Sequence, residues 1–206
     1  RLYCADIQVP LDWSDPSSEA ISIATVFRLA DSEPQGFILF NPGGPGASGY
    51  DWVKDSADYL GTDNLRSNWN ILGFDPRGVG RSSAVECLND AEYDEFLYGV
   101  SGFEIGSEED LAVARAATAD FADKCLENTG ALLEFVDTVS AARDMDVLRA
   151  VLGESKLNFL GYSYGSFLGT TYATLFPDRV GRFVLDGAID PTVDDDEQTL
   201  FQLEAF

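Results

Sequence analysis

Residues 157–169 read Leu-Asn-Phe-Leu-Gly-Tyr-Ser-Tyr-Gly-Ser-Phe-Leu-Gly. An apolar run meets a serine bracketed by Gly161 and Gly165 and then takes on helical character. The pattern predicts strand, sharp turn and helix, with Ser163 at the apex. In such a G-x-S-x-G elbow a β-carbon at either flanking position would strike the neighbouring strand or helix, and glycine removes the clash. The turn lifts the hydroxyl above the carboxyl edge of a sheet. The helix that follows then points free N–H groups and the positive end of its dipole at whatever negative charge develops there. Taken alone, the same residues also describe a glycine-rich turn in which Ser163 merely caps the helix.

The 206 residues, 45% hydrophobic, suffice for one sizeable domain and show no sign of a second. No stretch approaches the roughly 18 consecutive apolar residues of a membrane span. Because the chain opens on Arg1, any signal peptide is expected to lie outside it. A formal charge of −23, from 36 acids against 13 bases, would repel nucleic acid and anionic membrane surfaces. It would attract the cationic end of a peptide, and it equally suits an acidic surface from a high-salt or extracellular setting. The three cysteines, Cys4, Cys87 and Cys125, lack the C-x-x-C spacing of metal sites, and no metal or cofactor is implied. There is no histidine. A serine hydrolase needs an imidazole to take the hydroxyl proton, so these residues cannot complete a Ser-His-Asp triad by themselves.

In chain order, Cys4 to Trp13 alternates enough to be a first strand, and Ile21 to Phe27 is β-branched and alternates at period two. Phe37 to Phe40 and Asn70 to Phe74 are solid apolar runs of the kind buried on both faces of a sheet. The first leads into Asn41-Pro42-Gly43-Gly44-Pro45-Gly46-Ala47-Ser48-Gly49, which is either a plain flexible loop or a backbone that turns its N–H groups toward an oxyanion. The second leads into Asp75-Pro76-Arg77-Gly78, where Asp75 and Arg77 read as fixing the turn rather than as catalytic groups.

Two helices are expected next. One follows a capping-box pattern at Ser107 to Asp110, with Leu111, Ala114, Thr118, Phe121, Ala122 and Cys125 along an inward face. The other runs from about Thr138 to a terminating Gly153. In an oxidising compartment Cys87 and Cys125 form the natural pair, leaving Cys4 over; the alternative is three reduced, buried thiols. After the elbow helix, Val180 to Leu185 gives a further strand running into Asp186 to Pro191, and an incipient helix is expected from Thr199 to Phe206.

Strands alternating with helices, glycine turns at strand carboxyl ends and the elbow point together to an α/β class, the α/β-hydrolase fold with a mostly parallel sheet and flanking helices. The segments Val9 to Trp13, Asn41 to Gly49, Asp75 to Ser82, Gly161 to Gly169 and Phe176 to Pro191 resemble, in order and spacing, the secreted bacterial tripeptidyl and prolyl aminopeptidase family of α/β-hydrolases, which are serine exopeptidases. That resemblance implies Ser163 as nucleophile and the backbone N–H groups of Gly44 and Tyr164 as oxyanion donors. It also implies a secreted or cell-surface setting.

In that family a lid follows the strand ending near Asp186, and the acid and histidine of the triad come later. On this reading residues 1–190 are the amino-terminal part of the hydrolase core and residues 191–206 the start of the lid, with the chain truncated before the last strands. Asp186 or Asp190 could instead supply the acid, or be simple turn residues before Pro191. A sheet ending at Val180 to Leu185 would expose a long apolar edge, so a carboxy-terminal segment of the same gene product is expected to cover it and bring the histidine. Three functions compete: an exopeptidase acting on peptides with a free amino terminus, an esterase or other acyl hydrolase of the same fold, and a catalytically inert binding or assembly unit.

Overall fold

The computed structural model describes residues 1–193 and 195–204. The alternating, β-branched segments pair first. Strand β1 (Leu2–Pro10) and strand β2 (Ala20–Arg28) form an antiparallel hairpin in register from Leu2 opposite Arg28 to Pro10 opposite Ala20. The first strand therefore lies earlier than its sequence pattern suggests. Trp13 falls beyond it, in a turn set by the Asp12 carboxylate, which accepts from the Ser14 N–H and hydroxyl. The two solid apolar runs become β3 (Phe37–Asn41) and β4 (Asn70–Phe74), and every residue of β4 is buried. With β5 (Leu157–Tyr162) and β6 (Val180–Asp186) they complete one six-stranded sheet in the order β1-β2-β4-β3-β5-β6. The pairs β4/β3, β3/β5 and β5/β6 are parallel, and β2 runs antiparallel to β4.

Both faces of this sheet carry helices. On one, α5 (Thr138–Val151) and α6 (Tyr164–Leu175) bury Ala142, Met145, Leu148, Leu168 and Tyr172 against Leu39, Leu72 and Phe159. On the other, α1 (Gly49–Ser56) sets Val53 against Val26, Phe40 and Ile71, with Leu65 of α2 (Asp63–Asn68) beside it. Strand β1 forms one edge of the sheet and β6 the other. The long apolar edge expected there is in fact mixed: Val184 is 58% exposed, while Gly181, Arg182 and Asp186 are exposed beside it. The Arg182 guanidinium lies over the Trp69 ring at 5.2 Å.

Between β4 and α5 the chain leaves the sheet as α3 (Asp90–Tyr98) and α4 (Glu108–Thr129). A reciprocal capping box starts α3 at Asn89 and Glu92. At α4 only half of the expected box forms. Ser107 accepts from the Asp110 N–H, but the Asp110 carboxylate turns outward to the Ser101 hydroxyl and the Gly106 N–H. The inward face expected for α4 is also corrected. Of its proposed residues only Cys125 is buried, and Leu111, Ala114, Thr118 and Ala122 are exposed. The helix rests on no sheet. It is held at its base by the Cys87–Cys125 disulfide, which closes a loop of 38 residues, and Cys4 is a free, exposed thiol. The reduced, buried alternative is thereby set aside. Chain entropy lets such a crosslink contribute at most about 4 kcal/mol.

The last element, α7 (Asp195–Glu204), begins earlier than the helix expected from Thr199. Asp194, Ala205 and Phe206, assigned to the start of a lid, lie outside the described residues.

Candidate active site

The elbow forms where β5 stops at the carboxyl edge of the sheet. Among the described residues Ser163 is the one non-glycine with positive φ, at φ 53° and ψ −121°. Such a conformation costs a side-chain-bearing residue of order 1–3 kcal/mol and persists only where its surroundings enforce it. Three contacts do so. The Ser163 N–H donates to the Asp186 carbonyl at 2.8 Å, its own carbonyl accepts from the Ser166 N–H at 2.8 Å, and the Ser166 hydroxyl adds a second bond to that carbonyl at 2.6 Å. Ser166, 1% exposed, also accepts from the Ile189 N–H at 3.0 Å, so it staples the elbow to the chain leaving β6.

Ser163 stands at the N-cap position of α6, yet its side chain makes no capping hydrogen bond, and the residue is exposed. Its hydroxyl is thus not engaged as a helix cap. The flanking glycines are needed for close approach: a β-carbon on Gly161 would run into the Gly165 carbonyl and lie 2.6 Å from Phe159 Cε1. Gly161→Ala should therefore cost about 1–3 kcal/mol through overpacking and misplace Ser163. Thermal unfolding, with the rate of fluorophosphonate labelling of the whole protein, checks this; an unchanged labelling rate would show that the elbow tolerates the methyl group.

The glycine loop after β3 lies directly against this turn. A β-carbon on Gly43 would sit 3.0 Å from Ser163 Cβ. The Gly43 N–H is engaged by Asn41 Oδ1 at 2.9 Å, whereas Gly44 is exposed beyond it. Asn41 is 1% exposed and wedged between the loop and α6, with both its Oδ1 and its main-chain oxygen 2.8 Å from where a Gly165 β-carbon would stand; its Nδ2 is buried without a partner. Sequence reasoning passed over Asn41 and Ser166 because their partners are distant along the chain or belong to a loop whose shape no local pattern encodes.

Tyr164, next after Ser163, shares a 2.8 Å hydrogen bond between its hydroxyl and Thr138 Oγ1. Burial, and secondarily the Asp137 charge, pushes its phenol up despite that bond, so it stays protonated. Beside the elbow opens a cleft of about 360 Å³ lined by Asn41, Gly43, Pro45, Val79, Thr138 and Tyr164.

Asp75 and Arg77 fix structure, as their turn pattern predicts. Asp75, fully buried, accepts from the Ser48 hydroxyl, the Tyr50 N–H and the Arg81 N–H, tying the loop after β4 to the start of α1. Arg77 pairs with Asp144 inside the core. Asp190 is a turn residue whose carboxylate accepts from the Thr192 N–H and hydroxyl, the hydroxyl bond being the first cause of its lowered pKa. Asp186 ends β6 opposite Tyr162, and its main chain rather than its side chain holds Ser163. Among the described residues no group of three or more His, Cys, Asp or Glu side chains stands close enough together to hold a metal ion.

Comparison with known proteins bears out the fold. Residues 36–206 match the family model described as the alpha/beta hydrolase fold. Over 199 residues the chain is 39% identical to a tripeptidyl aminopeptidase of Streptomyces coelicolor, covering 94% of this chain and 36% of that protein. It is 37% identical over 205 residues to the serine protease Hip1 of Mycobacterium tuberculosis, and 38% identical over 205 residues to a carboxylesterase B of the same species; each covers 98% of this chain and 39% of the relative. The chain thus spans little more than a third of the length of these curated relatives. A solved hydrolase from Pseudomonas aeruginosa superimposes with a TM-score of 0.52 at 15% identity, covering 98% of this chain and 52% of that one, which shows the fold alone.

Proposed function

Because the chain belongs to the α/β-hydrolase fold family, we propose that it carries the nucleophile and oxyanion hole of a serine exopeptidase that releases short peptides or proline from the free amino end of peptides. The observation that carries this reading is Ser163 itself: exposed, uncapped, held at φ 53° at the start of α6 and backed by the Gly43–Gly44 turn. In this reading Ser163 Oγ attacks the scissile carbonyl while a histidine takes its proton. The N–H groups of Tyr164 and Gly44 hold the oxyanion, each worth roughly 3 kcal/mol in the transition state. The C–N bond breaks, the histidine returns the proton to the departing amine, and water hydrolyses the acyl-serine. Since these 206 residues contain no histidine, in this reading the imidazole comes from a carboxy-terminal segment joined to this core, which also brings the acid. The similarity to a tripeptidyl aminopeptidase supports the exopeptidase form. An extracytoplasmic setting suits the Cys87–Cys125 disulfide.

The similarity to a carboxylesterase keeps a second reading open, an acyl hydrolase with the same nucleophile and no amine recognition. Tripeptidyl and prolyl amides assayed with the whole protein, each with its amine free or acetylated, separate the two. The exopeptidase reading expects hydrolysis of the free-amine forms and loss of most of it on acetylation. Equal turnover of both forms, or turnover of simple esters alone, would select the acyl hydrolase.

A further inference from the structure

The α3–α4 hairpin is used neither by the sheet nor by the candidate active site. It leaves the core at the carboxyl edge: Val136, which follows its return, and Val85, which precedes α3, both pack where a Gly78 β-carbon would stand, and Val136 also borders the cleft beside Tyr164. Between Cys87 and Cys125 the sequence holds ten acids against two bases. The same segment presents nine exposed large apolar side chains, among them Phe96, Leu97, Val100, Ile105 and Val113, with Val100 at 90% and Ile105 at 95% exposure. Exposed apolar surface on this scale marks an interaction site.

Three of the nine, Phe96, Val100 and Val113, line one groove. Phe96 of α3 stacks on Phe121 of α4 with ring centroids 4.7 Å apart, and around that stack the two helices enclose a groove of about 430 Å³. Its lining sets the apolar side chains of Phe96, Val113 and Phe121 beside the carboxylates of Glu95 and Asp110. Lys124, at one end, is neutralised by Glu92 at 3.0 Å and Asp120 at 3.1 Å. Among the described residues neither Glu95 nor Asp110 takes part in an ion pair.

We propose that this groove is a docking site for a cationic amphipathic peptide, a separate molecule whose apolar side chains enter over the Phe96–Phe121 stack while its lysines or arginines meet the Glu95 and Asp110 carboxylates. Charge selects this occupant. A second copy docking through the same segment would bring its own ten acids against two bases and be repelled. An apolar face laid into a groove between helices, with charges pairing at the rim, is a standard mode of peptide recognition. The site lies apart from the elbow, and binding there does not depend on the hydrolase reading.

The test is fluorescence anisotropy with the whole protein and an amino-acetylated leucine–lysine peptide patterned as an amphipathic helix. The peptide should bind, more weakly as salt rises. Glu95→Lys should lower its affinity at least tenfold, while Asp58→Lys, the same charge change at an exposed residue near α1 and outside the groove, should lower it less than twofold. Circular dichroism confirms that both variants stay folded, which their exposed positions favour. Absence of binding by the unmodified protein, whatever fills the groove, overturns the proposal. Equal losses in the two variants also overturn it, since they would show attraction by the general negative field alone.

Discussion

Ser163→Ala in the whole protein should lower kcat by about 10⁶-fold, the scale reached when the serine of a catalytic triad is removed, and should abolish fluorophosphonate labelling. Alanine can take over the φ of 53° at no greater strain than serine, and the hydroxyl makes no cap bond whose loss would loosen α6. Folding should therefore be unaffected and the whole effect chemical. Steady-state kinetics with a tripeptidyl amide, paired with thermal unfolding, makes the comparison. Residual activity within about tenfold of the unmodified protein would remove Ser163 from the mechanism and with it the proposed function.

Asp144→Ala should produce the largest loss of stability, about 3–5 kcal/mol, because it strands a charge in the core. Arg77 and Asp144 are each 1% exposed at the side chain and form a two-pronged pair, Nη2 to Oδ1 at 2.7 Å and Nε to Oδ2 at 2.8 Å. The remaining guanidinium donors meet the carbonyls of Leu11 at 2.9 Å, Pro10 at 3.1 Å and Phe135 at 3.2 Å, while the Trp13 indole donates to Asp144 Oδ1 at 3.0 Å. One ion pair thus ties together the end of β1, the loop after β4, the turn before α5 and α5 itself. Without the carboxylate the guanidinium stays buried with only neutral acceptors. Replacing both partners, as Arg77→Met with Asp144→Leu, should recover much of the loss, since neither buried charge remains. Urea unfolding of the single and double variants measures the difference. A double variant no more stable than Asp144→Ala alone would mean that the carbonyl contacts, not the charge pair, dominate.

The parts of this fold legible in the sequence are those whose burial is local in pattern. Phe37 to Phe40 and Asn70 to Phe74 are apolar without a break because both faces of those strands are covered, and β5 is announced by the elbow it leads into. The helices α1, α2 and α3 were not legible, for a physical reason. Only Gly49 and Val53 are buried in α1, neither α2 nor α3 buries any residue fully, and the three helices run just eight, six and nine residues, too short for a 3.6-residue repeat to declare itself. The opposite error occurred at α4, where a helical stripe exists but faces α3 and solvent rather than the sheet. At the candidate site the motif supplied Ser163 and its glycines. The Asn41 side chain bonds the Gly43 N–H of its own loop but packs against Gly165 of α6, and Ser166 accepts from Ile189; only the folded chain brings these segments together, as it does the Arg77–Asp144 pair, whose members stand 67 residues apart.

The staple at the elbow bears on the order in which this chain acquires its shape. Ser163 owes its backbone conformation to Asp186, which receives its N–H, and to Ser166, itself fixed by Ile189. A nascent chain ending just after α6 would contain the whole Gly161 to Gly165 motif and Ser166, and yet lack Asp186, which receives the Ser163 N–H, and Ile189, which fixes Ser166. The full set of contacts around Ser163 is thus a late event in synthesis, complete only once β6 has added to the edge of the sheet beside β5. A growing polypeptide would carry an ordinary, unpoised serine until then.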